Sequence, residues 1–423
     1  MSSHPAGRPP AILRVMIVAN YSADAITSNN RFNDLARRFA ARGADVELVT
    51  SRFSHARKVP RTDGFGPTPY TLTRLHEPGY ARNISPARLR SQAVFAREVT
   101  HHLDGLAAPP DLLLAAAPPP AVAAACGRYA RRTGCTFAID VQDLWPEAFA
   151  MVARFPRLIG LAFSGMRRLS REAYTSAHRV IGVSRTYTEA AVRDGADPAR
   201  TRVVLLGTDL GGFDAHADAP MPPLLTAAGP LSPPVIGYAG GLSDSYDLGL
   251  VIDALALLHA APDAPPRPTL LVMGDGARRE EFTDRARRAG VDARFTGNLP
   301  YAQMARGLAA CEIAVNPIVA GSAGSILNKA GDYAAAGLPV VSSQESPEYR
   351  ELLAAHGAGI SCAPGDAPAM AEALGRLLRD PGLRSRLGRG SRRMGEELFD
   401  RAVTYEAMID DLLEAVHETR GRS

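Results

Sequence analysis

The sequence predicts an α/β protein made of two doubly wound, Rossmann-like domains in tandem, on three observations. Short runs rich in Val, Ile and Leu alternate with helix-period stretches along nearly the whole chain, the pattern of buried parallel strands and their crossover helices. The alternation pauses once, at residues 214–234. This stretch holds Pro220, Pro222, Pro223, Pro230, Pro233 and Pro234 with little periodicity, the composition of an interdomain linker. Finally, 423 residues, 46% of them hydrophobic, suffice for two domains with their own cores. The expected division is 1–210, a linker at 211–233, a second domain at 234–399 and a terminal helix at 400–423.

Residues 12–19 suit a buried first strand, followed by a polar loop with Ser28, Asn29 and Asn30. A helix over 31–43 comes next, apolar at Phe32, Leu35, Phe39 and Ala40 and closed by Gly43, and then a strand at 45–50. The loop stands where an open α/β sheet places its ligand crevice, beyond the carboxyl end of a strand. Ser28, Asn29 and Asn30 are therefore candidates for acceptor or phosphate contact; in the bland alternative Ser28 and Asn29 are helix caps. Residues 51–61 form a basic loop. Strands at 70–75 and 111–116 and helices at 85–103 and 121–132 lead to a strand at 136–140, which ends in DVQDLWPEAF. This end presents Gln142, Asp143, the only tryptophan Trp145, Pro146 and Glu147. Either it is a structured turn packed by Trp145, or Asp143 has a functional role. Residues 155–174 form an amphipathic helix with Arg157, Arg167, Arg168 and Arg171 on its polar side. That face is either solvated or a contact for an anionic membrane. A strand at 179–183, a helix at 184–194 and a strand at 202–206 end the half.

The alternation restarts with a strand at 235–239 that ends in Gly240 and Gly241. A strand at 269–273 ends in Gly274, Asp275 and Gly276 and is followed by a helix to 289. A strand at 292–296 ends in Gly297, Asn298 and Leu299. A helix at 301–309 and a strand at 311–315 lead to the most informative stretch, 315–343. There Gly321 and Gly324 bracket Ser322 and Ala323, a helix pattern covers 325–336 through Ile326, Leu327, Ala330, Tyr333 and Ala334, Gly337 closes it, and a strand follows at 338–342. A bare turn that opens a helix gathers free N–H groups and the positive end of the helix dipole, a ready phosphate site. Lys329 lies in the first turns of that helix and Asp332 one turn further along the same face. Of 48 basic residues, only Lys58 and Lys329 are lysines, so an arginine-biased chain has kept this one. Asp332 stands where a carboxylate would accept from ribose hydroxyls. A helix at 349–355, a strand at 358–361 and helices at 367–379, 383–397 and 400–418 complete the chain.

The net charge of +4, without a basic arm interleaved with aromatics, argues against nucleic acid. Cys126, Cys135, Cys311 and Cys362 have neither metal nor redox spacing and suit reduced thiols of a cytoplasmic protein. The start MSSHPAGRPP has the character of a loose polar tail and not of a signal peptide, and no run of about 18 apolar residues predicts a membrane span. No D-x-D metal motif falls at a strand end.

The 315–343 stretch resembles the donor-sugar motif of family 4 retaining glycosyltransferases, which have the GT-B fold: E-x7-E followed by A-M-A-x-G-x-P-V-V. The tail DYAAAGLPVVSS matches, the second glutamate corresponds to Asp332, and the first falls on Gly324. The DLWP segment is similar to the signature of a subset that includes capsule and lipopolysaccharide aminosugar transferases. Many other members carry a His-Asp pair where this chain has Gln142 and Asp143. LLGTDL is similar to the family's NGVD ending, with Asp209 as its aspartate. Where relatives have G-R-L and a later lysine, this chain has Gly241 and Asp247–Leu248, so both family cations are missing.

The resemblance implies donor contacts from Gly240, Gly241, Gly274, Asp275, Asn298, Leu299, Ser322, Ala323, Gly324, Ser325, Ile326, Leu327 and Asp332. It implies catalytic roles for Lys329, Asp143 and Gln142, an acceptor-binding first domain, and a last helix that crosses back to it. No cofactor is implied beyond the nucleotide diphosphate sugar that serves as co-substrate, and no metal. The acceptor would be a small molecule or lipid-linked, the location cytoplasmic with peripheral contact at the inner face of the membrane. Surface glycan assembly is the expected pathway. The alternatives are transfer to an antibiotic-type molecule from an unusual donor, a sugar-nucleotide epimerase of the same fold, and a non-catalytic sugar-nucleotide binder.

Overall fold

The structure, a computed structural model, describes residues 12–22, 30–55, 57–61, 66–83, 85–145, 163–226, 229–322 and 325–421. The chain forms two compact units, one of Met1–Val204 with Tyr405–Ser423 and one of Leu205–Thr404.

The first unit holds β1 (Arg14–Val18), α1 (Arg31–Ala41), β2 (Asp45–Ser51), β3 (Phe53–Ser54), β4 (Val59–Pro60), β5 (Thr71–Leu75), α2 (Pro86–Asp104), β6 (Leu112–Ala117), α3 (Pro120–Thr133), β7 (Thr136–Val141), α4 (Ser164–Ser176), β8 (Arg179–Gly182), α5 (Arg185–Arg193) and β9 (Thr201–Val203). Its seven-stranded sheet runs β5-β2-β1-β6-β7-β8-β9, and each of its pairings is parallel. The central strands are buried at every position, as expected of continuous apolar runs covered on both faces. Phe32, Leu35 and Phe39 of α1 meet Ile17, Leu48 and Leu114 of the sheet. Tyr405, Met408, Ile409, Leu412 and Val416 from the end of the chain join the same core. Ion pairs flank this apolar seam, Arg38 and Arg42 with Glu406 and Arg179 with Asp411 and Glu418.

The second unit holds α6 (Leu210–Ala217), β10 (Val235–Ala239), α7 (Leu248–Ala260), β11 (Thr269–Met273), α8 (Arg279–Ala289), β12 (Ala293–Gly297), α9 (Tyr301–Leu308), β13 (Ile313–Asn316), α10 (Asn328–Ala335), β14 (Val340–Ser342), α11 (Pro347–His356), β15 (Gly359–Ser361), α12 (Ala367–Arg379) and α13 (Pro381–Met394). A final helix, α14 (Arg401–Arg420), begins in this unit and continues into the first. The six-stranded parallel sheet runs β12-β11-β10-β13-β14-β15. One face is covered by α7, α8 and α12 through Leu250, Leu255, Phe282 and Leu374. The other is covered by α9 and α10 through Ala305, Leu308, Tyr333 and Ala334.

Four segments differ from expectation. Residues 211–233 are no structureless linker. The Asp209 side chain caps α6 by accepting from Gly212 N, a helical turn forms at Pro223–Thr226, and Phe213 and Leu225 lie in the core of the second unit. Residues 51–61 hold the short β3–β4 hairpin, turned by Lys58 in the left-handed region at φ +59°. Helix α7 is so apolar around its circumference that LGLVIDALALLHA shows no amphipathic period. Helix α10 starts three residues later than its pattern predicts. Gln344 Nε2 donates to the Ser325 carbonyl and Ser325 Oγ donates to Glu348 Oε2, while Leu327 is extended at φ −86°, ψ 154°.

Candidate functional site

In the second unit the ends of β10, β11 and β12 and the start of α10 enclose a cavity of about 420 Å³. Its lining includes Gly240, Gly241, Tyr246, Gly274, Asn298, Leu299, Leu327, Asn328, Lys329 and Asp332. The strand ends approach closely because they lack side chains. A Cβ on Gly274, at φ +156°, would stand 1.8 Å from the Gly240 carbonyl oxygen. Tyr333 anchors α10 here, its hydroxyl accepting from Ala239 N at 3.0 Å and donating to the Val315 carbonyl at 3.1 Å.

Lys329 belongs to the first turn of α10 and is buried, with 7% of its surface exposed. Its Nζ has no hydrogen-bond partner and lies 4.2 Å from the Tyr238 ring centre and 4.1 Å from that of Tyr246. Ring faces attract a cation without hydrogen-bonding to it. The Tyr238 hydroxyl turns away and donates to the Gly241 carbonyl at 2.6 Å. Burial pulls the Lys329 pKa down to about 7. The N-cap of α10 is Leu327, which has no side-chain acceptor for the first amides of the helix. A buried ammonium without an anion and a helix mouth without a side-chain cap thus line one cavity.

Asp332 Oδ1 accepts from Thr208 Oγ1 and from the Tyr301 hydroxyl, both at 3.0 Å. Burial raises its pKa to about 6, against the lowering effect of those two hydrogen bonds. The carboxylate thus arrives with one oxygen already held.

Of the predicted donor residues, Gly240, Gly241, Gly274, Asn298, Leu299, Leu327, Lys329 and Asp332 line the cavity. The other described ones lie outside its lining. Asp275 is exposed, accepting from Gly276 N and Arg279; Ser322 is half-buried; Ser325 is engaged with Glu348; Ile326 is packed in the core. Ala323 and Gly324 lie outside the described residues. Sequence reasoning missed Tyr238, Tyr246, Thr208, Tyr301 and Asn328. Tyr238 has the pattern of an ordinary strand residue, and the others are brought in only by the turns that follow.

In the first unit, Gln142 and Asp143 follow β7. Asp143 turns back on its own segment, accepting from Leu144 N at 2.9 Å and Trp145 Nε1 at 3.1 Å, and burial raises its pKa. Asn30 is the N-cap of α1, its Oδ1 accepting from the amides of Phe32 and Asn33. Ser28, Asn29, Pro146 and Glu147 lie outside the described residues, as does the part of the basic amphipathic helix before Phe163.

Two family models match the chain: "Glycosyl transferase 4-like domain" over residues 27–207 and "Glycosyl transferases group 1" over residues 233–380. Glycogen synthase of Mycobacterium tuberculosis (strain ATCC 25618 / H37Rv) is 32% identical over 165 residues, which are 38% of this chain and 38% of that protein. The match thus spans well under half of the curated relative. Among solved structures, Anabaena HepE in complex with UDP aligns with a TM-score of 0.67 at 16% identity, covering 95% of this chain and 100% of that one. Sucrose-phosphate synthase from Thermosynechococcus elongatus aligns with a TM-score of 0.67 at 18% identity, covering 94% and 98%. WaaG, a glycosyltransferase of lipopolysaccharide biosynthesis, aligns with a TM-score of 0.63 at 17% identity, covering 93% and 98%. With a matching family model on each half and the GT-B fold throughout, the chain belongs to the group 1 glycosyltransferases with a family-4-type first domain.

Proposed function

We propose that this protein is a retaining, metal-independent glycosyltransferase that moves a sugar from a nucleotide diphosphate sugar to an acceptor in polysaccharide or lipid-linked glycan assembly. It belongs by its DLWP segment with the aminosugar transferases of that kind. The observation that carries the proposal is the Lys329 ammonium, buried in the cavity without an anionic partner beside the first amides of α10. A diphosphate seated there receives a charged hydrogen bond and the dipole of a helix mouth, which supports departure of the nucleoside diphosphate by electrostatic stabilisation. Gly240 and Gly274 let the phosphates approach the backbone, Asn298 and Leu299 flank the base, and Asp332 holds the ribose with its remaining oxygen. In front-face transfer the bond between the anomeric carbon and the leaving phosphate oxygen breaks. The bond to the acceptor oxygen forms on the same face, and the leaving phosphate takes the acceptor's proton. UDP is the favoured diphosphate, because HepE has been solved with UDP and with UDP-glucose. The enzyme would work in the cytoplasm, with the exposed Arg167, Arg168 and Arg171 of α4 facing an anionic membrane.

A second reading, transfer of an unusual sugar to an antibiotic-type molecule, is favoured by Gly324, which stands where the family glutamate touches the donor sugar. A thermal-shift panel of UDP, GDP, dTDP and their sugars tests the core of the proposal. Ligand at about 100 times its dissociation constant adds roughly 2.7 kcal/mol of stability. A shift with a diphosphate in the wild type that vanishes in Lys329→Ala is expected. Equal shifts in both proteins would reject the site.

A further inference from the structure

Away from that cavity, the first unit carries a second cluster of cations and rings. Tyr21 follows β1, His55 and Lys58 sit on the β3–β4 hairpin after β2, Tyr80 precedes α2, Arg88 lies in its first turn, and Trp145 follows β7. The Arg88 guanidinium carbon lies 4.4 Å from the Trp145 ring centre, 5.5 Å from that of Tyr80 and 5.8 Å from that of Tyr21. Lys58 Nζ lies 4.8 Å from the Tyr80 ring centre, 2.6 Å from Asn83 Oδ1 and 3.2 Å from His55 Nδ1. The Tyr80 hydroxyl is 2.5 Å from His55 Nδ1, and Gln92 Nε2 donates to the Tyr21 hydroxyl at 2.6 Å.

Three features set this cluster apart from ordinary packing. Among the described residues Lys58 is the one non-glycine with positive φ, a backbone cost of about 1–2 kcal/mol that simple packing does not require. Its hydrogen-bond partners are neutral, with no carboxylate within ion-pair distance among the described residues. His55 stays neutral beside it, since burial and the fields of Lys58 and Arg88 push its pKa down to about 4. Glu77, the acid beside Tyr21, is buried and accepts from Ser91 Oγ. The sheet order reverses between β1 and β6, so Tyr21 follows a strand at the topological switch point, where such sheets form their ligand crevice.

We infer that half-exposed Lys58, beside the buried Arg88, binds an acidic group, a carboxylate or phosphate, on the acceptor. Assigning that ligand as the acceptor rests on the transferase proposal; the anion site does not. An ammonium whose partners are all neutral suits an acidic saccharide better than a neutral one, because it gains its missing counter-charge only from the acid.

The chain's two lysines make the test direct. Reductive ¹³C-methylation of the full protein leaves signals at Lys58 and Lys329 besides that of the terminal amine, assigned with Lys58→Asn, since Asn tolerates a left-handed backbone. Titration with glucuronate and with glucose 6-phosphate is expected to move the Lys58 signal saturably, while glucose leaves it in place. By calorimetry Lys58→Asn should bind the effective acid at least about tenfold more weakly, one charged hydrogen bond. A response to one acid alone supports the site and names the acid. Failure of both acids to move the Lys58 signal, or an equal response to glucose, overturns the inference. UDP reports separately through Lys329: if it leaves that signal in place while an acid moves Lys58, the donor proposal fails and the anion site stands.

Discussion

The ammonium of Lys329 stands 4.1 Å from the centre of the Tyr246 ring, with no hydrogen-bond acceptor in reach. A buried charge left this way costs the free protein stability, because ring faces return only part of the lost hydration. On the proposed reading, an anion in the cavity would complete the pair, and relief of that cost would contribute to its binding.

Replacing Lys329 with methionine keeps the volume and removes the unpaired charge. Lys329→Met should melt at the same temperature as the wild type or higher, and should lose about 1.5–3 kcal/mol of UDP affinity. Thermal melts with calorimetry check both. A variant that melts lower but binds normally would place Lys329 in the fold and not in the site.

With Lys329 near pKa 7 in the folded protein and near 10.5 when unfolded, the unfolded chain holds the extra proton between those values. Stability from this group therefore rises as pH rises through that window. Diphosphate favours the charged ammonium, so binding at pH 8 should take up a proton. Calorimetry in buffers of different ionisation enthalpy measures that uptake, which should disappear in Lys329→Met.

Gly274→Ala should cost about 3–5 kcal/mol from backbone strain and overpacking, because the new Cβ would fall 1.8 Å from the Gly240 carbonyl oxygen. Gly240→Ala meets the flexible end of Lys329, 3.1 Å from Nζ, and the Tyr238 hydroxyl at 3.4 Å. It should cost about 1–2 kcal/mol in stability but displace the ammonium, so its loss of UDP binding should exceed its loss of stability. Urea unfolding and UDP titration of both variants separate the two effects.

Arg31 and Asp140 form a buried ion pair at 2.5 Å, with side chains 2% and 0% exposed. Arg31→Ala strands the carboxylate and should cost about 3–5 kcal/mol in urea unfolding. The double variant Arg31→Met with Asp140→Leu should recover most of that loss, since a buried pair replaced by apolar groups of similar size is often nearly neutral. A double variant as unstable as the single one would show that shape at this position matters more than charge.

Much of the fold was legible because parallel strands buried on both faces leave a plain mark. LLLAAA, TFAIDV and TLLVM are apolar at almost every position, and their edges fell within a residue or two of prediction. Helix α7 leaves no periodic mark because its exposed side is itself apolar, with Leu257 48% exposed, so no polar side sets a period. Residues 211–233 looked like a linker because prolines dominate locally, whereas Phe213 and Leu225 are placed by a core assembled from distant strands. The start of α10 was misplaced because Gln344 and Glu348, about twenty residues on, hold Ser325 out of the helix.

The alternation of strand and helix and the glycines at the strand ends are matters of local pattern, legible in the residues alone, and residue chemistry is what singles out Lys329 and Asp332 as candidates. That Tyr238 and Tyr246 flank the ammonium, and that Thr208 and Tyr301 hold one oxygen of Asp332, follows from long-range packing. Thr208 lies 124 residues from its partner. The environment that shifts both pKa values is a property of the closed core, because desolvation is set by everything that packs around a group and by no neighbour in sequence.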